Sequence, residues 1–159
     1  MVYYDPDQKN YFSYDIVKGT TRNLTASIDA KWIIWDNDSP DSAIAAYALV
    51  GWVGGDKVLL HDQCYIWLIS TPGNEAPMNI TGGYGRRHNI VFHIIGERSR
   101  DIYKNGERLL LSAYDRDTKD NGFFRQQLGK PGDPEKLTMG RYVYYLPDED
   151  VINDGSPPV

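Results

Sequence analysis

Cysteine is nearly absent. Cys64 is the one thiol in 159 residues, which excludes an intramolecular disulfide and any zinc site built from several thiolates. No block of basic residues occurs and the formal net charge is −5, so nucleic acid and polybasic membrane-surface binding are disfavoured. Long apolar runs are missing too. The longest stretch free of charge, Ser42 to Gly55, is too short to span a bilayer as a helix. The opening residues Met1 to Asp7 lack the basic and apolar regions of a secretory leader. The expectation is a soluble chain, cytoplasmic or released without a recognisable leader.

Catalytic signatures are equally scarce. There is no G-x-S-x-G elbow, no H-E-x-x-H pair and no phosphate-cradling glycine loop. The three histidines are His61, His88 and His93. His61 and Asp62 are adjacent in sequence, so on a strand their side chains point to opposite faces and do not form an orienting pair. Cys64 sits among Tyr65, Ile66, Trp67, Leu68 and Ile69, where an inert buried thiol is the default. With no positioned nucleophile and base, the chain reads as non-enzymatic.

What the chain does have is aromatics and short alternating segments. Twelve Tyr and four Trp accompany a 41% apolar content, enough for a full core in one domain. Ile28, Ala30, Trp32 and Ile34 alternate with polar residues, the pattern of a half-buried strand with that face inward. Lys57–Leu60, Cys64–Ile69, Ile90–Ile95, Leu109–Tyr114 and Tyr142–Leu146 are short and rich in β-branched and aromatic residues. Ser42–Val53 fits a helix or a buried strand, and its neighbours favour strand. Asn105-Gly106 predicts a hairpin joining Ile102–Lys104 to Glu107–Leu111. No internal repeat or linker is evident. The expected fold is all-β: an antiparallel, jelly-roll-like β-sandwich of about eight strands over residues 1–147. Residues 148–159 are acidic and rich in Pro and Gly, and read as a tail.

Three stretches carry a family resemblance. Val17-Lys18-Gly19 is followed by Asn23-Leu24 and a segment ending at Trp35, with Ser39 four residues on. Asn105-Gly106-Glu107 leads through Leu109–Leu111 to Tyr114-Asp115-Arg116-Asp117. Gly140-Arg141-Tyr142-Val143-Tyr144-Tyr145-Leu146-Pro147 comes last. In this order they resemble the bacterial inclusion-body proteins of the PixA/AidA type, although Ala30-Lys31 stands where that family has Gly-Asp. The resemblance implies an abundant β-sandwich protein stored in inclusion bodies, linked to host interaction and without catalytic residues. A weaker resemblance, to galactose-binding lectins of the LecA type, rests on Gly51-Trp52, Pro77–Gly82 and Tyr114-Asp115 with Asp120–Phe123. In those lectins a loop of this kind holds calcium and sugar.

Two loops carry the oxygen-rich chemistry. Asp115, Asp117, Asp120 and Asn121 offer several of the six to eight oxygens that calcium takes. An acidic turn closed by Asx hydrogen bonds accounts for the same residues. Trp35 beside Asp36, Asn37 and Asp38 supplies a flat ring and directional acceptors, half of a sugar site, or simply a core Trp before a Pro-terminated turn. Arg86 and Arg87, in Tyr84–His88, form the one basic patch, able to grip an anion or to stay solvated. The expected partner is a glycan or monosaccharide, with calcium as a possible ion and no other cofactor. The Tyr142–Tyr145 strand suggests a homodimer. A purely structural self-assembling storage protein and a small β-sandwich enzyme are the alternatives.

Overall fold

The computed structural model describes residues 1–32, 49–96 and 102–144. These residues are mostly β, in twelve strands with one single-turn helix. Strands β1 (Val2–Asp5), β2 (Asn10–Asp15) and β3 (Thr20–Asn23) form an antiparallel three-stranded sheet. β4 (Leu49–Val53), β5 (Lys57–His61), β6 (Ile66–Ser70), β7 (Met78–Asn79) and β9 (Ile102–Tyr103) form a five-stranded sheet in the order β7-β6-β5-β4-β9. β8 (Ile90–Ile94), β10 (Arg108–Asp115), β11 (Asn121–Gln127) and β12 (Glu135–Gly140) make a four-stranded sheet, order β12-β11-β10-β8. The helix α1 (Tyr84–Arg87) precedes β8. No helix among the described residues is long and apolar enough to cross a membrane.

The five-stranded sheet shares a core with each of the other two. Leu59, Ile66 and Leu68 pack with Phe92, Ile94, Leu111 and Phe124 of the four-stranded sheet. Val58, Leu60 and Ile69 pack with Tyr11, Leu24 and Trp32 on the other side. Val58, Leu59 and Leu60 are all wholly buried, so a continuous apolar run, rather than an alternating one, marks a strand covered on both faces. The bulge at Val50 completes this pattern. Leu49 pairs with Leu60 and Gly51 with Leu59, which leaves Val50 as the extra residue and puts Val50 and Val53 in the same core despite their odd spacing.

Several sequence expectations change. Trp32 is 2% exposed and Ile28 and Ala30 pack against the same cluster, so that face is inward. Residues 24–32 nevertheless form no strand. They follow a local path, with Ile28 N–H donating to the Thr25 carbonyl and Ala30 N–H to the Ile28 carbonyl, each at 3.0 Å. Ile34 lies outside the described residues, as do 42–48 of Ser42–Val53, whose remaining residues include β4. Tyr142–Tyr144 is not a strand, and 145–159, with the expected tail, lie outside the described residues.

The Asn105-Gly106 turn forms, but it joins no hairpin. Glu107 N–H donates to the Lys104 carbonyl at 3.1 Å, and of the two central residues only Gly106 has positive φ (80°). That is a type II arrangement, whose twist does not match a two-residue hairpin. The chain instead changes sheets there. β9 pairs in parallel with β4, and β10 pairs with β8 and β11.

The junction of Tyr11 and Trp32 anchors the three-stranded sheet, with an edge-to-face contact at 5.8 Å between ring centroids. Burial pushes the Tyr11 phenol up to about 12. Replacing Trp32 by Ala removes the ring that fills this junction and should cost about 3–5 kcal/mol. Urea denaturation checks this, and a loss below about 1 kcal/mol, as at exposed sites, would contradict the packing.

Candidate functional site

Three of the hairpin loops are built alike. Asp5, Asp15 and Asp115 each stand at a strand end, and the fourth loop residue, Lys9, Gly19 or Lys119, has φ of 54°, 65° or 64°. Asp5 Oδ1 accepts from the N–H groups of Asp7 and Gln8 at 2.9 and 3.0 Å. Asp15 Oδ1 accepts from Val17 and Lys18 at 3.0 and 3.1 Å. Asp115 Oδ1 accepts from Asp117 and Thr118 at 2.8 and 3.0 Å. These are Asx turns that satisfy the amides of a tight loop, and they recur although no repeat is evident in the sequence. The signal was present as an Asp five or six positions before the next strand.

In the Asp115–Asn121 loop the four expected ligand residues reach different partners. Asp115 closes its own turn. Asp117 Oδ1 accepts from Asn89 Nδ2 at 2.6 Å. Asp120 Oδ1 is buried without a hydrogen bond, 4.0 Å from Arg141 Nε. Asn121 Nδ2 donates to the Tyr142 carbonyl at 3.1 Å. Among the described residues no three His, Cys, Asp or Glu side chains gather as metal ligands would. Trp35, Asp36, Asn37 and Asp38 lie outside the described residues.

The basic patch is engaged internally. Arg87 donates to the Gly82 carbonyl at 2.6 Å and pairs with Asp133, and Arg86 sits 5.2 Å from the centre of the Tyr65 ring. His61 and His93 have ring centroids 5.4 Å apart. The Asp62 carboxylate, however, accepts from Cys64 N–H and Tyr65 N–H, both at 2.6 Å, and from the Trp67 indole at 2.7 Å. Asp62 thus anchors a turn instead of orienting His61.

One opening among the described residues was missed in the sequence. It is a cleft of about 400 Å³ between the three-stranded and five-stranded sheets, lined by Ser13, Tyr14, Asp15, Lys18, Thr20, Arg22, Trp52 and Thr71, among others, a size that accommodates a small ligand. Its chemistry follows from strand register. Val2, Tyr4 and Tyr11 face the five-stranded sheet and pack on its core. Further along the same face come Ser13 and Asp15, paired with Arg22 and Thr20. The inward face therefore turns from apolar to polar over Trp52. Ser13 Oγ donates to the Thr71 carbonyl at 3.0 Å, tying the two sheets at the cleft. Lys18 Nζ lies 3.6 Å from Asp15 Oδ2. Arg22 lies over Gly73, where an added Cβ would come 2.7 Å from its Nη1. The half-buried Trp52 offers a ring edge or face beside hydroxyls, a carboxylate and a guanidinium, the set that neutral and charged polyols use.

The backbone hydrogen bonds hold the carboxyls of Asp5, Asp15 and Asp115 below the ordinary carboxylate value, led by those from Gln8, Lys18 and Thr118. A folded-state value below the unfolded one means that the unfolded chain binds more protons in that window. The stabilisation is therefore complete above about pH 4 and is lost as pH falls further. Asn keeps the acceptor oxygen without the titration. The triple variant Asp5→Asn, Asp15→Asn, Asp115→Asn should fold at pH 7 and lose less stability between pH 4 and 2 than the parent, as read by denaturation across that range.

No protein-family model matches the chain, and neither does any curated protein or solved structure.

Proposed function

We propose that this chain is a non-enzymatic carbohydrate-binding protein whose glycan site is the cleft between the three-stranded and five-stranded sheets. One observation carries the reading. The sheet face that is apolar at Val2, Tyr4 and Tyr11 presents Ser13, Asp15, Thr20 and Arg22 over Trp52 further along. Thr20 and Arg22 are exposed and Asp15 is half-buried, so a ligand entering the cleft can reach them. A sugar uses both halves of such a site: its C–H face packs on an indole, and its hydroxyls take directional hydrogen bonds. The two larger sheets, with their shared core, are read as the walls of a sandwich to which the three-stranded sheet adds a third layer. The resemblance to PixA/AidA-type inclusion-body proteins fits an abundant, binding rather than catalytic, protein held in the cytoplasm and linked to host interaction.

A glycan array run with calcium and repeated with EDTA tests the reading, followed by calorimetry on the best hit. Trp52→Ala should weaken binding by about 1–2 kcal/mol through loss of the apolar platform, while Trp52→Phe should retain most of the affinity. Asp117→Ala and Asp120→Ala form the control arm. A loss there with Trp52→Ala silent would move the site to the Asp115–Asn121 loop. A dependence on calcium would bring in its oxygen ligands. A blank array would remove the reading.

Self-association is a second reading, favoured by the exposure of Tyr142 at 63%, Val143 at 75% and Leu137 of the edge strand β12 at 46%. Apolar side chains held at the surface along a sheet edge suit contact with a second copy. Light scattering should report a homodimer at micromolar concentration, reverting to monomer in Tyr142→Ser with Val143→Ser. A monomer for the parent chain at high concentration would exclude it, and with it storage by self-assembly through this edge.

A further inference from the structure

The charges of the cleft do not cancel, and the surplus points to a ligand class. Asp15 has both of its oxygens engaged, Oδ1 by two backbone N–H groups and Oδ2 by Lys18. Arg22 is different. Its guanidinium makes no ion pair or hydrogen bond among the described residues, and the exposed side chain lies against Gly73. Gly73 has φ of 71°, its N–H donates to the Ser70 carbonyl at 3.1 Å, and a Cβ there would meet Nη1, Cδ and Nε of Arg22 within 2.7–2.9 Å. The absence of that Cβ lets the guanidinium lie over the turn between β6 and β7. Its five planar N–H donors are thereby left for something else. The other cations lining the cleft are engaged, the Met1 ammonium by the Tyr14 carbonyl at 3.1 Å and Lys18 by Asp15.

We propose that the cleft selects acidic sugars, with the anionic group of the sugar held by Arg22 and its ring packed on Trp52; this rests on the carbohydrate-binding reading above. A carboxylate or sulfate ester presents two oxygens in a plane, which the guanidinium fork engages with two parallel hydrogen bonds. A neutral sugar leaves the same donors to water. Thr20 and Ser13 add hydroxyl groups at the cleft for the remaining ring oxygens.

Calorimetry with three matched probes tests this: methyl glucoside, methyl glucuronide and glucose 6-sulfate, run beside the corresponding galactose series and beside sodium acetate and sulfate alone. The acidic sugars should bind about tenfold tighter than their neutral counterparts. The preference should shrink between about 50 mM and 500 mM salt. Arg22→Gln, which keeps amide donors without the charge, should remove the preference. Gly73→Ala, which disturbs the seat of Arg22, should reduce the preference in a protein whose folding is checked by circular dichroism. Equal affinity for acidic and neutral sugars, or a preference that survives Arg22→Gln, overturns the proposal while leaving carbohydrate binding in place. Free acetate or sulfate binding as tightly as the acidic sugars overturns it in favour of a simple anion site. No binding by any sugar overturns both readings together.

Discussion

Burial of β5 from both sides is the constraint on which the other two sheets depend. Leu59 needs the four-stranded sheet and Val58 and Leu60 need the three-stranded one, since none of the three keeps any contact with water. A central strand of this kind has no solvent-tolerant face to fall back on. Loss of either covering layer would therefore expose a flat apolar sheet. The bulge at Val50 serves the same end, because it turns an extra side chain into the core.

The three-stranded sheet meets this demand over only part of its area. Val2, Tyr4 and Tyr11 cover Leu60 and Ile69, and then the inward face becomes polar where it passes Trp52. Packing and opening are thus two halves of one face. The hairpin can afford a polar half because Tyr11 and Trp32 secure the apolar one. The Asx turns at Asp5 and Asp15 hold both ends of β2 in register, so the polar side chains reach the cleft on a rigid frame rather than on a loose loop.

Much of the β architecture was legible. The runs around Lys57–His61, Ile90–Ile94 and Arg108–Asp115 stood out by their β-branched and aromatic content, and the core face at Trp32 was visible in its alternation. What escaped was whatever depends on partners distant in sequence. Thr20–Asn23 carries no apolar signal, yet it is a strand because β2 pairs with it. Asn105-Gly106 announces a turn, but only backbone φ distinguishes a hairpin from a change of sheet. The Asp115–Asn121 loop looked special by composition, whereas its shape is shared with two plainer loops. The Trp52 cleft was invisible for a related reason, since it is assembled from Ser13 to Arg22 and from Trp52 to Thr71, two segments that only the register brings together.

The parallel pair of Trp52 and Val53 with Ile102 and Tyr103 has a bearing on how the chain reaches this structure. The β1–β2, β2–β3 and β10–β11 hairpins close over a few residues and can form within microseconds. The β4–β9 contact must instead close a segment of about fifty residues, an entropic cost that grows with the logarithm of loop length and slows folding in proportion to sequence separation. Until it closes, one edge of the central sheet stays unpaired beside Trp52. Newly made chains would then be most prone to stick to one another at the same edge that later borders the cleft.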